Sequence, residues 1–369
     1  MSATLNAMSR ATDPAPFEFT LAAPLPGGAH TSPALSRAVD RGQMLRLERG
    51  VYLPRTTWTE ASHWQRYLIS LAAHAHGRPE DVLAGESAIA AHGLPQLRVP
   101  EEVSVLCTAR NKAGTHHPAS VTGRAAPLPA RLRPAPLKRV EPPLPQGISR
   151  PEHRAALRSG REAPASERLL TLPKPWLPMP ARGLLVQPLP QTVLSTVPRQ
   201  DFAAGVVVLD AARRTGSIAG TALTEADLEP HHDLLRSRRA RHVFETAWTF
   251  SDPLAESPGE SWSRAIFEER GLAPPELQRE FRLPSGRTAR VDFWWEGARV
   301  VGEFDGLVKY RRDAGLTGRS AEEEVIAEKL REDELRSLGL RVVRWVWADL
   351  RHPAQLIRLL RGAGVPLAG

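Results

Sequence analysis

The sequence predicts a multidomain chain of mixed α+β and α/β class, and three observations carry that reading. The prolines are concentrated: 17 of 34 fall between Pro118 and Pro198. The 369 residues are enough for two or three domains with sizeable cores. From residue 257 onward, helix-period and strand-period segments alternate in the order α-β-β-β-α-β-α. The expected division is a first domain over 15–110, a basic proline-rich linker over 111–181, a middle α/β segment over 182–254 and a C-terminal domain over 255–369.

Composition narrows the function class. Hydrophobic residues make up 41% of the chain, which is globular rather than disordered. No run approaches a membrane span, and the N-terminus lacks the basic-then-apolar pattern of a signal peptide. Cys107 is the only cysteine, so neither a disulfide framework nor a cysteine zinc site is possible. A cytoplasmic protein with no membrane partner and no small-molecule cofactor is expected. Net charge is +8, with an isoelectric point near 10.3, which favours a polyanionic partner. Residues 1–110 sum to zero, 111–200 to +10 and 201–369 to −2. The middle reads either as a solvated linker or as a non-specific phosphate-binding segment.

In the first domain, "TSPALSRAVDRG" (31–42) predicts a helix that opens at Ser32-Pro33 and stops at Gly42. "MLRLERGVYLP" (44–54) predicts two short strands around Arg49-Gly50. "VLAGESAIAAHGLP" (82–95) reads as a helix ending at Gly93. These stretches resemble the N-terminal domain of AbiEi-type antitoxins, a winged-helix module of bacterial abortive-infection toxin–antitoxin systems. The resemblance covers roughly residues 15–110 and implies binding to promoter DNA and a cognate toxin partner. Arg37, Arg41, Arg46 and Arg49 are the candidate nucleic-acid contacts. The family normally has two helices before the wing, whereas "FTLAAPLPGGAHTS" (19–32) carries prolines and glycines there.

The proline density of the middle speaks against long helices and central strands, and 124–145 reads as an extended basic linker. Val206–Leu209 fits a strand or a buried helix, and periodicity does not decide. "LTEADLEPHHDLLRSRRARHVFETAWTF" (223–250) reads as two helices.

The C-terminal domain opens with an amphipathic helix over 257–271, with Trp262, Ile266 and Phe267 on one side. Strands follow at 277–284, 288–295 and 298–306. A helix over 320–339 has capping-box spacing between Ser320 and Glu323, and it precedes a strand at 340–347 and a helix at 349–362. With Glu296-Gly297 as a two-residue turn, Trp295 faces Ala298 and Asp292 faces Val301. Asp292 and Glu303 then become diagonal neighbours on one face, roughly 7 Å apart at the backbone. Asp305 joins the same face, with Val291, Phe293, Trp295, Val300 and Phe304 behind it. Clustered carboxylates raise one another's pKa unless a cation intervenes, and oxygen ligands in this number suit Mg²⁺ or Mn²⁺. Such an ion would activate water against a phosphodiester.

This domain resembles the PD-(D/E)xK nucleases, and more narrowly the very-short-patch-repair (Vsr)-like endonuclease domains. The likeness covers about residues 257–361. It rests on Glu260 in "GESWSR", Asp292 in "RVDFWW", Glu303 and Asp305 in "GEFDG", and the late "EKLREDELRSLGLRVVRW". It implies a restriction-endonuclease-like fold, with Asp292 and Glu303 holding the metal, Asp305 completing the shell and Glu260 assisting from the helix. The family lysine belongs two residues after the Glu, where this chain has Asp305. Lys309, or Lys329 projected towards the sheet, could replace it, and Arg331 is a further candidate nucleic-acid contact. Two readings stay open: a metal-dependent DNA endonuclease with a targeting module, and a non-catalytic type IV antitoxin or transcriptional regulator.

Overall fold

The computed structural model describes residues 18–24, 31–107, 113–116, 121–140, 185–214, 222–306 and 321–369. Contacts divide the chain into two compact units, residues 1–199 with 216–244, and residues 200–215 with 245–369. The stretch 182–254, expected as one segment, is therefore shared between them.

In the first unit, β1 (Thr20–Leu21), α1 (Ser32–Asp40), β2 (Met44–Glu48) and β3 (Val51–Pro54) follow in sequence. The strands form an antiparallel sheet in the order β1-β3-β2. The β2–β3 turn needs Gly50, whose φ of 80° lies in the left-handed region. Helices α2 (Arg55–Glu60), α3 (His63–Gly77) and α4 (Gly85–Ala91) come next. A reciprocal capping box starts α3: Gln65 N donates to Ser62 Oγ at 3.2 Å, and Ser62 N donates to Gln65 Oε1 at 2.7 Å. Leu45, Leu53, Trp58 and Leu71 are fully buried in this core.

A second sheet combines β4 (Val103–Leu106), β5 (Gly114–His116) and β6 (Leu137–Val140) in the order β4-β6-β5. This corrects the linker expectation, because β6 is a central strand inside the proline-rich stretch. Its four residues contain no proline, and the neighbouring Pro136 needs only its carbonyl, which accepts Val103 N at 2.8 Å. Leu128 is buried in the core, and Trp58 Nε1 donates to Leu132 O at 2.6 Å. Residues 141–184 lie outside the described residues. The unit also contains α5 (Leu189–Thr196) and α7 (Glu225–Leu228).

In the second unit, α6 (Phe202–Arg213) settles the ambiguity at Val206–Leu209 as a helix, with Asp201 Oδ1 capping Ala204 N at 2.9 Å. All four of those apolar residues are fully buried. It packs on α9 (Pro258–Glu269), and α8 (Arg238–Phe250) lies between them in sequence. At the α6–α9 contact, Arg264 Nη1 meets Asp210 Oδ2 at 2.8 Å. Burial pushes the Asp210 carboxyl up to about 6, against the pull of Arg264.

Strands β7 (Glu276–Arg282), β8 (Thr288–Trp295), β9 (Val300–Phe304) and β10 (Arg341–Trp345) build one sheet in the order β10-β9-β8-β7. The β10–β9 pair is parallel and the others antiparallel. Helix α10 (Ala321–Ser337) crosses between β9 and β10 in sequence. The expected last helix is two, α11 (Trp347–Leu350) and α12 (Pro353–Gly362), because Pro353 disfavours a helical His352. Phe267 of α9 meets Phe293, Trp295 and Trp345 edge-on. Gly302 permits this packing: a Cβ there would lie 2.7 Å from Trp345 and 3.0 Å from Trp295. Among the described residues no helix is long and apolar enough to cross a membrane.

Candidate functional site

The β8–β9 turn is two residues longer than expected. Glu296–Ala298 forms a 3-10 turn, and Arg299 closes it in the left-handed region at φ 53°. Trp295 therefore pairs with Val300 rather than Ala298, and Phe293 with Gly302. Past that point a side chain takes over from the ladder, and Asp292 Oδ2 accepts Phe304 N at 2.9 Å. The apolar residues of β8 also change sides here. Phe293 and Trp295 pack with Ile266 and Phe267, whereas Val291 packs with Trp294, Val301 and Leu335. Strict alternation would keep 291, 293 and 295 on one face. The pleat is interrupted at Asp292, so the apolar back expected behind the carboxylates is not one face: Val291 lies on the other side from Phe293 and Trp295.

Glu303 is 8% exposed, on a strand whose five residues are all buried. Its partners are guanidiniums. Arg331 Nη2 lies 2.6 Å from Oε1 and Arg344 Nη2 lies 2.8 Å from Oε2. The parallel register places Arg344 beside Glu303, and Arg331 reaches down from α10. Glu328 binds both arginines in turn, and Glu332 Oε2 stands 3.1 Å from Arg344 Nε without a hydrogen bond forming. Burial pushes the Glu303 pKa up, and the two guanidiniums pull it back. For Arg331, burial is outweighed by Glu328 and Glu303, and its pKa is raised. Arg331, read from the sequence as a nucleic-acid contact, is paired with Glu303 and Glu328 of its own chain.

Glu260 is 4% exposed, and both its oxygens are engaged. Oε1 accepts Ser257 Oγ at 2.7 Å, and Oε2 accepts Glu256 N at 2.9 Å and Gln278 Nε2 at 3.0 Å. Gln278 is a residue the sequence reading missed. It occupies the one register position between Leu277↔Phe293 and Arg279↔Val291 that pairs with neither, facing Asp292. Its φ is 54°, a conformation that costs a non-glycine residue about 1–3 kcal/mol. No sequence signal marks it, because Gln278 fits the alternation of polar Glu276, Glu280 and Arg282 with Leu277 and Phe281.

Asp305 is half-buried just beyond β9, its N–H donating to Trp345 O at 2.8 Å. Lys329 is exposed rather than turned towards the sheet, and on the next turn Leu330 and Ile326 are exposed too. Lys309 lies outside the described residues. Among the described residues no three His, Cys, Asp or Glu side chains are grouped so as to hold a metal ion. Two guanidiniums already neutralise Glu303, while Asp292 and Glu260 are spent on donors of the chain itself.

In the first unit, Arg37 on α1, Arg41 just after it, Arg46 on β2 and Arg49 in the turn are all exposed. Behind β2 lies a buried charge the sequence reading also missed. His74 of α3, 2% exposed, places Nδ1 3.2 Å from Glu48 Oε1 and Nε2 3.1 Å from Asp81 Oδ2. Burial alone would lower the His74 pKa, but the Asp81 and Glu48 carboxylates more than reverse that, and it is raised.

Two uncharacterized proteins of Mycobacterium tuberculosis, from strains CDC 1551 / Oshkosh and H37Rv, are each 30% identical to this chain over 147 residues. The match covers 40% of this chain and 49% of each relative, so the chain spans about half the length of the curated relatives it matches. No family model and no solved structure matches the chain.

Proposed function

We propose that this chain binds DNA without cutting it, as a type IV antitoxin-like transcriptional regulator with a winged-helix module and a non-catalytic PD-(D/E)xK, Vsr-like domain. The observation that carries the reading is the double guanidinium clamp on Glu303, at 2.6 and 2.8 Å. A cation already occupies the place where a nuclease of this class would bind its ion, and Asp305 stands where the family lysine would be. The exposed Arg37, Arg41, Arg46 and Arg49 supply the phosphate contacts, on a helix followed by a hairpin. A cognate toxin partner belongs to the same reading.

The decisive pair of measurements is a mobility shift on DNA from upstream of its own gene and plasmid nicking with Mg²⁺ or Mn²⁺. The expected outcome is a salt-dependent shift, weakened at least tenfold in R46A/R49A, and no nicking. Nicking by the wild type that disappears in D292A would instead establish a metal-dependent endonuclease. That second reading keeps one observation in its favour, since the strained Gln278 faces Asp292 and holds Glu260, and backbone strain concentrates at functional sites.

A further inference from the structure

The first unit contains a groove of about 800 Å³ beside β2 and the β2–β3 turn. Arg46, Arg49 and Arg78 line it, and so do the apolar Val103, Ala135 and Leu137. Among the described residues, none of the three guanidiniums has a carboxylate within ion-pairing distance. The one acid in the lining, Glu48, is held by His74 at 3.2 Å. Residues 1–110 carry no net charge, yet this groove gathers three guanidiniums, of which Arg78 also acts on the Asp81 carboxylate from beyond ion-pairing distance. A concave wall focuses such a field, and an anion is what relieves it.

Guanidiniums favour one kind of anion. Their planar forks match phosphate oxygens in pairs, and three of them suit more than a single phosphate. The apolar lining suits a flat ring, which a bare inorganic ion lacks. The volume lies within the usual range for small-ligand sites.

We propose that this groove binds a nucleotide with two or more phosphates, the phosphates on Arg46, Arg49 and Arg78 and the base against Val103, Ala135 and Leu137. The site is separate from the carboxylate cluster of the second unit and stands whether or not that unit cuts DNA. A DNA backbone also presents phosphates to these arginines, and the test distinguishes it from a free nucleotide.

The experiment is isothermal titration of the full chain with ATP, GTP, inorganic pyrophosphate and a short DNA duplex. Saturable binding of at least one nucleoside triphosphate is expected, weakened at least tenfold by R46A and by R78A. Both arginines are exposed, so both variants fold. L137D is expected to weaken the nucleotide more than pyrophosphate. The proposal is overturned if no nucleotide binds at millimolar concentration, or if binding survives R46A and R78A unchanged. Duplex binding that needs these arginines, with no nucleotide binding, also overturns it and assigns the groove to a DNA backbone.

Discussion

Each unit buries one charge between two of opposite sign, and the two arrangements are mirror images. In the first, His74 lies between Glu48 and Asp81; in the second, Glu303 lies between Arg331 and Arg344. The difference is which partner can let go of its proton. An imidazole titrates near neutrality, whereas a guanidinium does not. The first cluster therefore depends on pH in a range a cell experiences, and the second is fixed.

The largest effect that would break this comparison is at the fixed end. Glu303→Gln keeps the shape and removes the charge, leaving two largely enclosed guanidiniums with only Glu328 and Glu332. The second unit should lose about 3 kcal/mol, the low end for orphaning buried charge. Hydrogen exchange of peptides covering β9 and β10 reads the loss locally, while peptides of β2 and α3 should not change. A gain in stability, or added protection of the wild type but not the variant by Mn²⁺, would mean that the arginines are not the native partners of this carboxylate.

At the titratable end, His74→Gln should cost the first unit about 2 kcal/mol at pH 6, since Glu48 and Asp81 lose a shared charged donor. The sign with pH follows from the raised His74 pKa. The folded state holds this proton more tightly than the unfolded one, so the contribution is complete below the unfolded value near 6.5. It is lost as pH rises through the raised, folded value. Protection of β2 and α3 should decline as pH rises through that value in the wild type and stay level in the variant. A level wild-type profile would show that His74 is neutral at pH 6 and that the two clusters differ less than their geometry implies.

Much of this was legible in the sequence. The helix stops at Gly42, Gly93 and Gly339, the β2–β3 hairpin and the α-β-β-β-α-β order up to the last strand all follow from local pattern, and all are present. What escaped was long-range or sterically subtle. A strand such as Leu137–Val140 is invisible among prolines because its pairing partners lie elsewhere in the chain. The β8–β9 register turned on whether Arg299 would accept a left-handed backbone, which sequence does not announce. Glu303 of "VVGEFDG" was read as facing a metal ion; its neighbours in the structure are Arg331 and Arg344, the latter 41 positions downstream yet adjacent in the parallel register.

The smallest effect asks whether the second clamp works by charge or by shape. Arg331 uses Nε and Nη2 as a fork on Glu328, at 2.9 and 2.7 Å, while Nη2 also reaches Glu303 at 2.6 Å. Arg331→Lys keeps the charge and loses the fork, because a single ammonium cannot span both oxygens of Glu328 in the same plane. A loss of about 1 kcal/mol is expected, roughly the difference between a paired and a single charge-assisted bond. Arg331→Gln, which removes the charge as well, should cost clearly more in the same exchange experiment. If the lysine and glutamine variants lose equal stability, shape dominates and the cluster is a rigid brace. If the lysine variant loses nothing, any cation serves beside Glu303, and the step from this site to one that accepts a divalent ion becomes short.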